Sequence, residues 1–275
     1  MEKLIITVAT TGAVTSRNEH PDLPLHPEEI ADAVYEAYEA GASVAHIHIR
    51  DSEGNPSMSL DTFAKTVELI RERCDIILNL TTSGGRGLPL TDEDRFAHLV
   101  LKPEMCSMDC GSINFGMRIF ENSPTFLRKL GEATIKANVK PEIEVFDTAM
   151  LTNAITMAKE GLILNPLHVQ FVLGVRGGMP GTPKNLLFLV DSLPPDATWS
   201  IVGIGKAHLP LSTMAIHMGG HVRIGFEDNV VFRKKQLAES NAQFVKRIVR
   251  LADEFERPIA TVADARQILS LKPHA

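Results

Sequence analysis

The sequence predicts an α/β fold, a single (β/α)8 barrel of parallel strands spanning residues 1–275. Three observations carry that expectation. Short apolar and β-branched runs alternate with helix patterns along the whole chain, the order that builds parallel βαβ units. The length of 275 residues suits one such barrel, which needs about 250. The turn after the first run reads TTGAVTS, so the G-x-G-x-x-G turn that opens a doubly wound nucleotide-binding sheet is missing.

In chain order, strands are predicted at Leu4–Thr10, Val44–Arg50, Ile76–Thr81, Met105–Asp109, Glu142–Phe146, His168–Leu173, Thr198–Val202 and His221–Ile224. Pro27–Tyr38 reads as a helix because Pro and two acids open it and Gly41 stops it. Leu60–Arg73 follows Ser59 with apolar residues at helical spacing. Thr91–Leu101 opens TDED, a cap and acids that suit the positive end of the helix dipole. Thr148–Lys159, Asn185–Val190, Gln236–Phe255 and Val262–Leu269 complete the helices. Gln236–Phe255 contains the amphipathic stretch SNAQFVKRIVRLADEF, which fits a surface or oligomer helix.

Composition narrows the partners. Hydrophobic residues at 44% and charged residues at 23% are the balance of a folded globular chain. A net charge of −6 and a pI near 5.9 provide no basic field for nucleic acid or an anionic membrane. The three cysteines, Cys74, Cys106 and Cys110, suggest neither a disulfide framework nor a zinc knuckle, and a reducing cytoplasm fits them. The N-terminus carries no secretory signal pattern. The longest uncharged run, Gly161–Val175, contains Asn165, Pro166, His168 and Gln170, so it is not a membrane span.

Barrel chemistry belongs at the C-terminal ends of the strands. The second strand ends HIHIRD. Strand alternation puts His46 and His48 on one face and Ile47 and Ile49 on the other. An isolated H-x-H is most often a pair of packed side chains. Here the pair closes a strand before Arg50-Asp51, which points to a shared cation instead. An open two-histidine site takes a carboxylate as its third ligand. The last strand supplies GHVRIGFEDN, with Arg223, Glu227 and Asp228; one acid can ligate while the other faces a substrate. An acidic pair by itself is more often a solvated loop. Arg223 within an apolar strand end needs a carboxylate or a ligand anion.

Other strand ends add polar groups. Thr82, Ser83, Gly84 and Gly85 form a hydroxyl-rich turn, and Ser107 and Asp109 share a face. Glu142 and Glu144 also share a face, a costly arrangement unless they are paired; Glu144 has Arg223 or another mouth cation within reach. After the sixth and seventh strands, Arg176, Lys184 and Lys206 sit among glycines and suit a phosphate-bearing ligand, although a plain long loop reads the same way. His168, His217 and His221 read as structural histidines.

Together these strings resemble the β-keto acid cleavage enzymes, the family of 3-keto-5-aminohexanoate cleavage enzyme. The likeness spans nearly the whole chain: TGA, EAGASVAHIHIRD, TSGG, LKPEMCSMDCGSINFG, PEIEVFD, NPLHVQFVLGVRGGMPGTPKN, GHVRIGFEDN and AESNAQ. The resemblance implies a zinc-dependent barrel, a homotetramer, and condensation of a β-keto acid with acetyl-CoA to give acetoacetate and a new acyl-CoA. It implies His46, His48 and Glu227 as metal ligands. It implies Asp228 as general base, oriented by Arg223, which pairs with Glu144. Substrate contacts fall to Thr82, Ser83, Gly85, Ser107 and Asp109, with Thr81, Thr82 and Ser83 competing for one hydroxyl role. The expected first step is removal of a proton from the acetyl-CoA methyl. Arg176, Lys184 and Lys206 are read as the contacts to CoA. Val14 stands where members acting on amino-bearing substrates have an acid, which favours a neutral keto acid. Two rival readings are a barrel hydrolase of the amidohydrolase type and a non-catalytic metal-binding protein. CoA-dependent turnover separates the first from the family reading, and a consequential Asp228→Asn change separates the second.

Overall fold

Period-two alternation sorts each predicted strand into an apolar face and a polar face. The computed structural model describes residues 2–84 and 88–271, and in it the strands close into a parallel barrel. The barrel strands are β1 Ile6–Ala9, β2 Val44–Ile47, β3 Ile77–Leu80, β4 Met105–Asp109, β5 Lys140–Val145, β6 His168–Leu173, β7 Thr198–Gly203 and β8 His221–Ile224. Each pairs with its sequence neighbours, and β8 closes on β1 with Thr7 opposite Arg223.

The helices are α1 Pro27–Glu39, α2 Leu60–Arg73, α3 Pro124–Ala137, α4 Thr148–Lys159, α5 Pro183–Asp191, α6 His208–Met218, α7 Asn241–Glu254 and α8 Val262–Ile268. Two of them, α3 and α6, lie outside the sequence expectation. The α3 start is a Ser123 cap that accepts from the Phe126 amide, followed by Pro124. The sequence of α6, HLPLSTMAIHM, is too evenly apolar to show a helical stripe. Thr91–Leu101 forms a 3-10 helix only from Asp94 to Leu101. The last long helix starts at Asn241, because Gln236–Leu237 pairs with Val231–Arg233 instead.

Outward residues such as Val8, Ile47, Leu80, Met108, Ile143, Phe171, Ile201 and Ile224 join the helices in one buried shell. Each fully buried large apolar side chain there contributes about 1.5–3 kcal/mol. Below, Ile5, Val44, Ile77 and Met105 pack on Ala265 and Leu269, so the α8 segment plugs the N-terminal end of the barrel. The lumen above that plug is polar, with buried His46, Asn79, Ser107, Glu142, Gln170 and Arg223. The shell therefore holds the fold, and the lumen is available for chemistry at the open end. None of the described helices is long and apolar enough to cross a membrane.

Candidate active site

The β8 end builds the centre of the site. Gly225 has φ +147, and a Cβ there would sit 2.1 Å from the Ala9 carbonyl oxygen. Only glycine lets the chain pass so close to β1 and turn back across the mouth. The turn is fixed by the Glu227 amide donating to Ala9 O at 3.2 Å and the Asp228 amide donating to Gly225 O at 3.1 Å. Asn241 accepts from the Phe226 amide at 2.9 Å and donates to Thr10 O, which ties this turn to α7 and β1. Gly12 lies beneath the Glu227 side chain, where a Cβ would come within 2.5 Å of its Cγ.

β2 leaves the barrel at His48, earlier than expected. Ile49–Arg50 pairs antiparallel with Pro56–Ser57, outside the barrel sheet. Arg50 donates to Gly12 O at 2.8 Å and Thr15 O at 2.9 Å, which braces the β1 loop. His46 Nε2 lies 3.7 Å from Glu227 Oε2, and His48 Nε2 lies 3.4 Å from Glu227 Oε1. One ligand atom from each of the three residues fits within a 4.8 Å spread. Burial, aided by Arg223, holds His46 neutral with its pKa well below the usual value, as a ligand imidazole must be. Burial works to raise the Glu227 carboxyl, but Arg223, His48 and His46 outweigh it and hold it well below the carboxylate range. Glu227 Oε2 is buried without a hydrogen bond among the described residues. Two imidazole nitrogens and an ionised carboxylate, one of whose oxygens is buried without a hydrogen bond, suit a divalent ion such as zinc.

Arg223 organises the acids beside this cluster. Its Nε and Nη2 donate to both Asp228 oxygens at 3.0 and 3.1 Å, and its Nη1 donates to Glu144 at 3.0 Å. Gln170 accepts a further bond from Nη1 at 3.0 Å, and Nη2 lies 2.7 Å from Glu227. Burial works against the Arg223 charge, but Asp228, Glu227 and Glu144 raise its pKa well above the usual value. Burial pushes Asp228 up to about 6 against the pull of Arg223. It pushes Asp109 up to about 6 as well, against Arg95 and contact with Glu144. Burial and the Asp109 charge drive Glu144 well above its usual range. Near neutral pH, Asp228 is therefore an ionised acceptor held close to its proton-exchange point, as a general base should be.

These groups line a cavity of about 590 Å³ at the barrel mouth. It receives His46, His48, Glu227, Asp228, Arg223, Glu144, Ser107, Asp109, Val14, Ser83 and Arg176 from the predicted site. Thr82 is turned away from it: its hydroxyl donates to Ser107 O at 2.8 Å, within the wall between β3 and β4. Thr81 lines the cavity instead, with its hydroxyl 3.0 Å from that of Ser83. Gly85 lies outside the described residues. Lys184 enters α5 and Lys206 lies in the short turn Gly205–Ala207; neither lines the cavity.

Sequence reading missed a hairpin over the mouth, Ile113–Phe115 paired with Arg118–Phe120. Phe115 and Phe120 pack edge-on against Phe146, with ring centroids 6.1 and 6.5 Å away. Arg118 is thereby placed on the cavity wall beside exposed Met117 and Ile119. The Gly116 amide donates to Arg176 O at 2.8 Å, joining the hairpin to the loop after β6. Gly116 between two short apolar runs was the available signal.

The β-keto acid cleavage enzyme profile matches residues 3–271. A 3-keto-5-aminohexanoate cleavage enzyme of Acetoanaerobium sticklandii is 45% identical over 273 residues, 98% of this chain and 99% of its own. A 3-oxoadipate:acetyl-CoA acetyltransferase of Cupriavidus necator is 38% identical over 97% of this chain and 94% of its own. The structure of ObcA in ternary complex with a C4-CoA adduct and oxalate superposes with TM-score 0.80, covering 91% of this chain and 68% of that one. At 21% identity that likeness bears on the fold alone. The class these matches define is the barrel acyltransferase acting on keto acids. Within it, the chain belongs to the β-keto acid cleavage enzyme family.

Proposed function

We propose that this chain is a metal-dependent acyltransferase that condenses a neutral-tailed β-keto acid with acetyl-CoA, yielding acetoacetate and a new acyl-CoA. The observation that carries the reading is Arg223 holding both oxygens of Asp228 in the same cavity as the His46, His48 and Glu227 cluster. Residues 1–275 act as one catalytic domain in this reading, with zinc as the ion, the cytoplasm as compartment and a homotetramer as assembly.

Atom balance decides which carbon is the nucleophile. Acetoacetate must keep C1 and C2 of the keto acid, and the new acyl-CoA must carry its C3 and tail. Asp228 therefore takes a C2 proton from the keto acid, and not the acetyl-CoA methyl proton that sequence reading expected. The C2 position lies between a ketone and a carboxylate and is the more acidic of the two. C2 bonds to the acetyl carbonyl carbon, the carbon–sulfur bond breaks, and CoA thiolate leaves. The thiolate then adds to the original C3 ketone, the C2–C3 bond breaks, and C2 recovers the proton from Asp228. His46, His48 and Glu227 would hold a divalent ion, which would supply Lewis-acid polarisation to the bound keto acid. Arg223 keeps Asp228 aimed and ionised, and Ser83, Thr81 and Ser107 offer hydroxyls to the keto acid.

Arg118 and Arg176 are the phosphate contacts for CoA in this reading, since both reach the cavity wall while Lys184 and Lys206 do not. Val14 is 43% exposed and lines the same cavity as apolar Met117 and Ile119. A substrate ammonium buried against Val14 would be uncompensated by that side chain, whereas an alkyl tail would pack on it. The test is a screen of β-keto acids with acetyl-CoA, following acetoacetate formation. Turnover of 3-oxohexanoate ahead of its 5-amino derivative is expected. A clear preference for the amino compound removes the substrate assignment, and acetyl-CoA-independent hydrolysis removes the reaction assignment.

A further inference from the structure

Within the lumen, three buried polar atoms make no hydrogen bond among the described residues: His46 Nδ1, Asn79 Oδ1 and Glu142 Oε1. Their residues are 1%, 0% and 0% exposed. They come from β2, β3 and β5. His46 is in register with Asn79 across β2 and β3, and Asn79 Nδ2 donates to Glu142 Oε2 at 2.6 Å. A ring nitrogen of His46 and an oxygen of Glu142 lie within 4.8 Å of each other. His46 Nδ1 and Glu142 Oε1 make no direct hydrogen bond, so a bridge of one atom is the contact that can link them. His168 Nε2 stands 3.5 Å from Glu142 Oε1.

When Nε2 of His46 ligates a metal ion, Nδ1 must carry the ring proton. A buried N–H without an acceptor is costly. The unpartnered atoms are complementary: one ring donor and two oxygen acceptors. We propose that Glu142, with Asn79, positions His46 through a single buried water. The water accepts from His46 Nδ1 and donates to Glu142 Oε1 and Asn79 Oδ1. This count of three bonds is typical for a buried water. The pair thereby fixes the His46 tautomer and ring angle, so that Nε2 is presented as a lone-pair donor toward the cluster. Glu142 is a positioning residue and touches neither substrate nor the reacting carbons.

The inference rests on His46, His48 and Glu227 being the metal ligands, and the test separates the two ideas. Zinc affinity is measured by chelator competition on wild type, Glu142→Gln, Glu142→Asp and Asn79→Ser, each checked for folding by circular dichroism. Wild type should bind one ion per chain. Glu142→Gln should bind about 10–100-fold more weakly, and Glu142→Asp should recover part of the loss. The cobalt-substituted absorption bands of Glu142→Gln should shift. If Glu142→Gln yields no folded protein, Asn79→Ser carries the test with a smaller loss in the same direction. Wild-type affinity and wild-type cobalt bands in a folded variant overturn the positioning role. A wild type that takes up no ion overturns the ligand assignment itself.

Discussion

Replacing Asp228 by Asn alters one atom of the carboxylate and tests the base directly. In the native arrangement, both Asp228 oxygens accept from Arg223, at 3.0 and 3.1 Å. The amide oxygen of Asn can keep one of those bonds, while its NH2 group would face a guanidinium N–H. Arg223 retains Glu144 and Gln170 at 3.0 Å each and Glu227 at 2.7 Å, so the guanidinium should stay in place. The proposed metal ligands do not include Asp228, so ion content should match wild type. The loss should fall on proton transfer, which a placed base accelerates by about 10²–10⁴. That is about 3–5 kcal/mol of barrier. The assay is kcat/KM for acetoacetate formation, paired with enzyme-dependent exchange of C2 protons of the keto acid in deuterium oxide. Both should drop together. A folded, metal-replete Asp228→Asn enzyme that exchanges C2 protons at the wild-type rate would refute the assignment.

Four further outcomes follow from the same structure. His48→Ala should lose most of its divalent ion on dialysis, and full retention in elemental analysis would move the metal site elsewhere. Arg118→Ala and Arg176→Ala should raise KM for acetyl-CoA several-fold and leave that for the keto acid nearly unchanged; if Lys184→Ala or Lys206→Ala does so instead, the CoA path runs over α5. Val14→Glu should shift specificity constants toward a 5-amino keto acid by about 10–100-fold, the scale of a newly placed ion pair in a partly closed site, and an unchanged ratio places the substrate tail away from β1. Lys140, which donates to Leu269 O at 2.7 Å, has its pKa lowered by burial from 10.5 to about 8. The unfolded chain then binds more protons between those values, so this group makes stability rise as pH climbs from about 8 to 10.5. In denaturant titrations Lys140→Met should lack that increment, and an identical pH slope would exclude it.

What the sequence made legible follows the reach of local rules. Residues on one strand declare a shared face, so His46 with His48, and Ser107 with Asp109, could be read without a structure. The GFEDN turn showed its acids, and Arg223 required partners. Partners on other strands are set by register, which no local pattern encodes. Gln170 reaches Arg223, and Asn79 reaches Glu142, only because the closed barrel puts them level. Thr82 illustrates the same limit. Its hydroxyl resembles those of Thr81 and Ser83 in sequence, and only the neighbouring strand shows that it is spent on Ser107 O. The hairpin Ile113–Phe120 went unread because its apolar residues serve a ceiling over the mouth rather than a barrel strand.

The charges in the mouth give a physical reason to expect a cation and a proton to be shared there. Glu144, Glu227 and Asp228 crowd one guanidinium, Arg223, with Asp109 between Glu144 and Arg95 and His46 held neutral. Such an excess of buried carboxylates is stable only if some are protonated or a further cation joins them. The structure divides the acids accordingly. Glu227, beside the histidines and Arg223, is driven towards ionisation and is ready to ligate. Glu144, against Asp109, is driven towards the acid form and needs no metal. Asp228 lies between these extremes at about 6, held by Arg223 but desolvated. A base in that position can take a proton from carbon and return it within one turnover, because neither protonation state is strongly trapped. The same guanidinium thus touches the proposed ligand, the proposed base and the neutral acid. Arg223→Lys, which keeps a charge but cannot span three carboxylates, should disturb all three roles together.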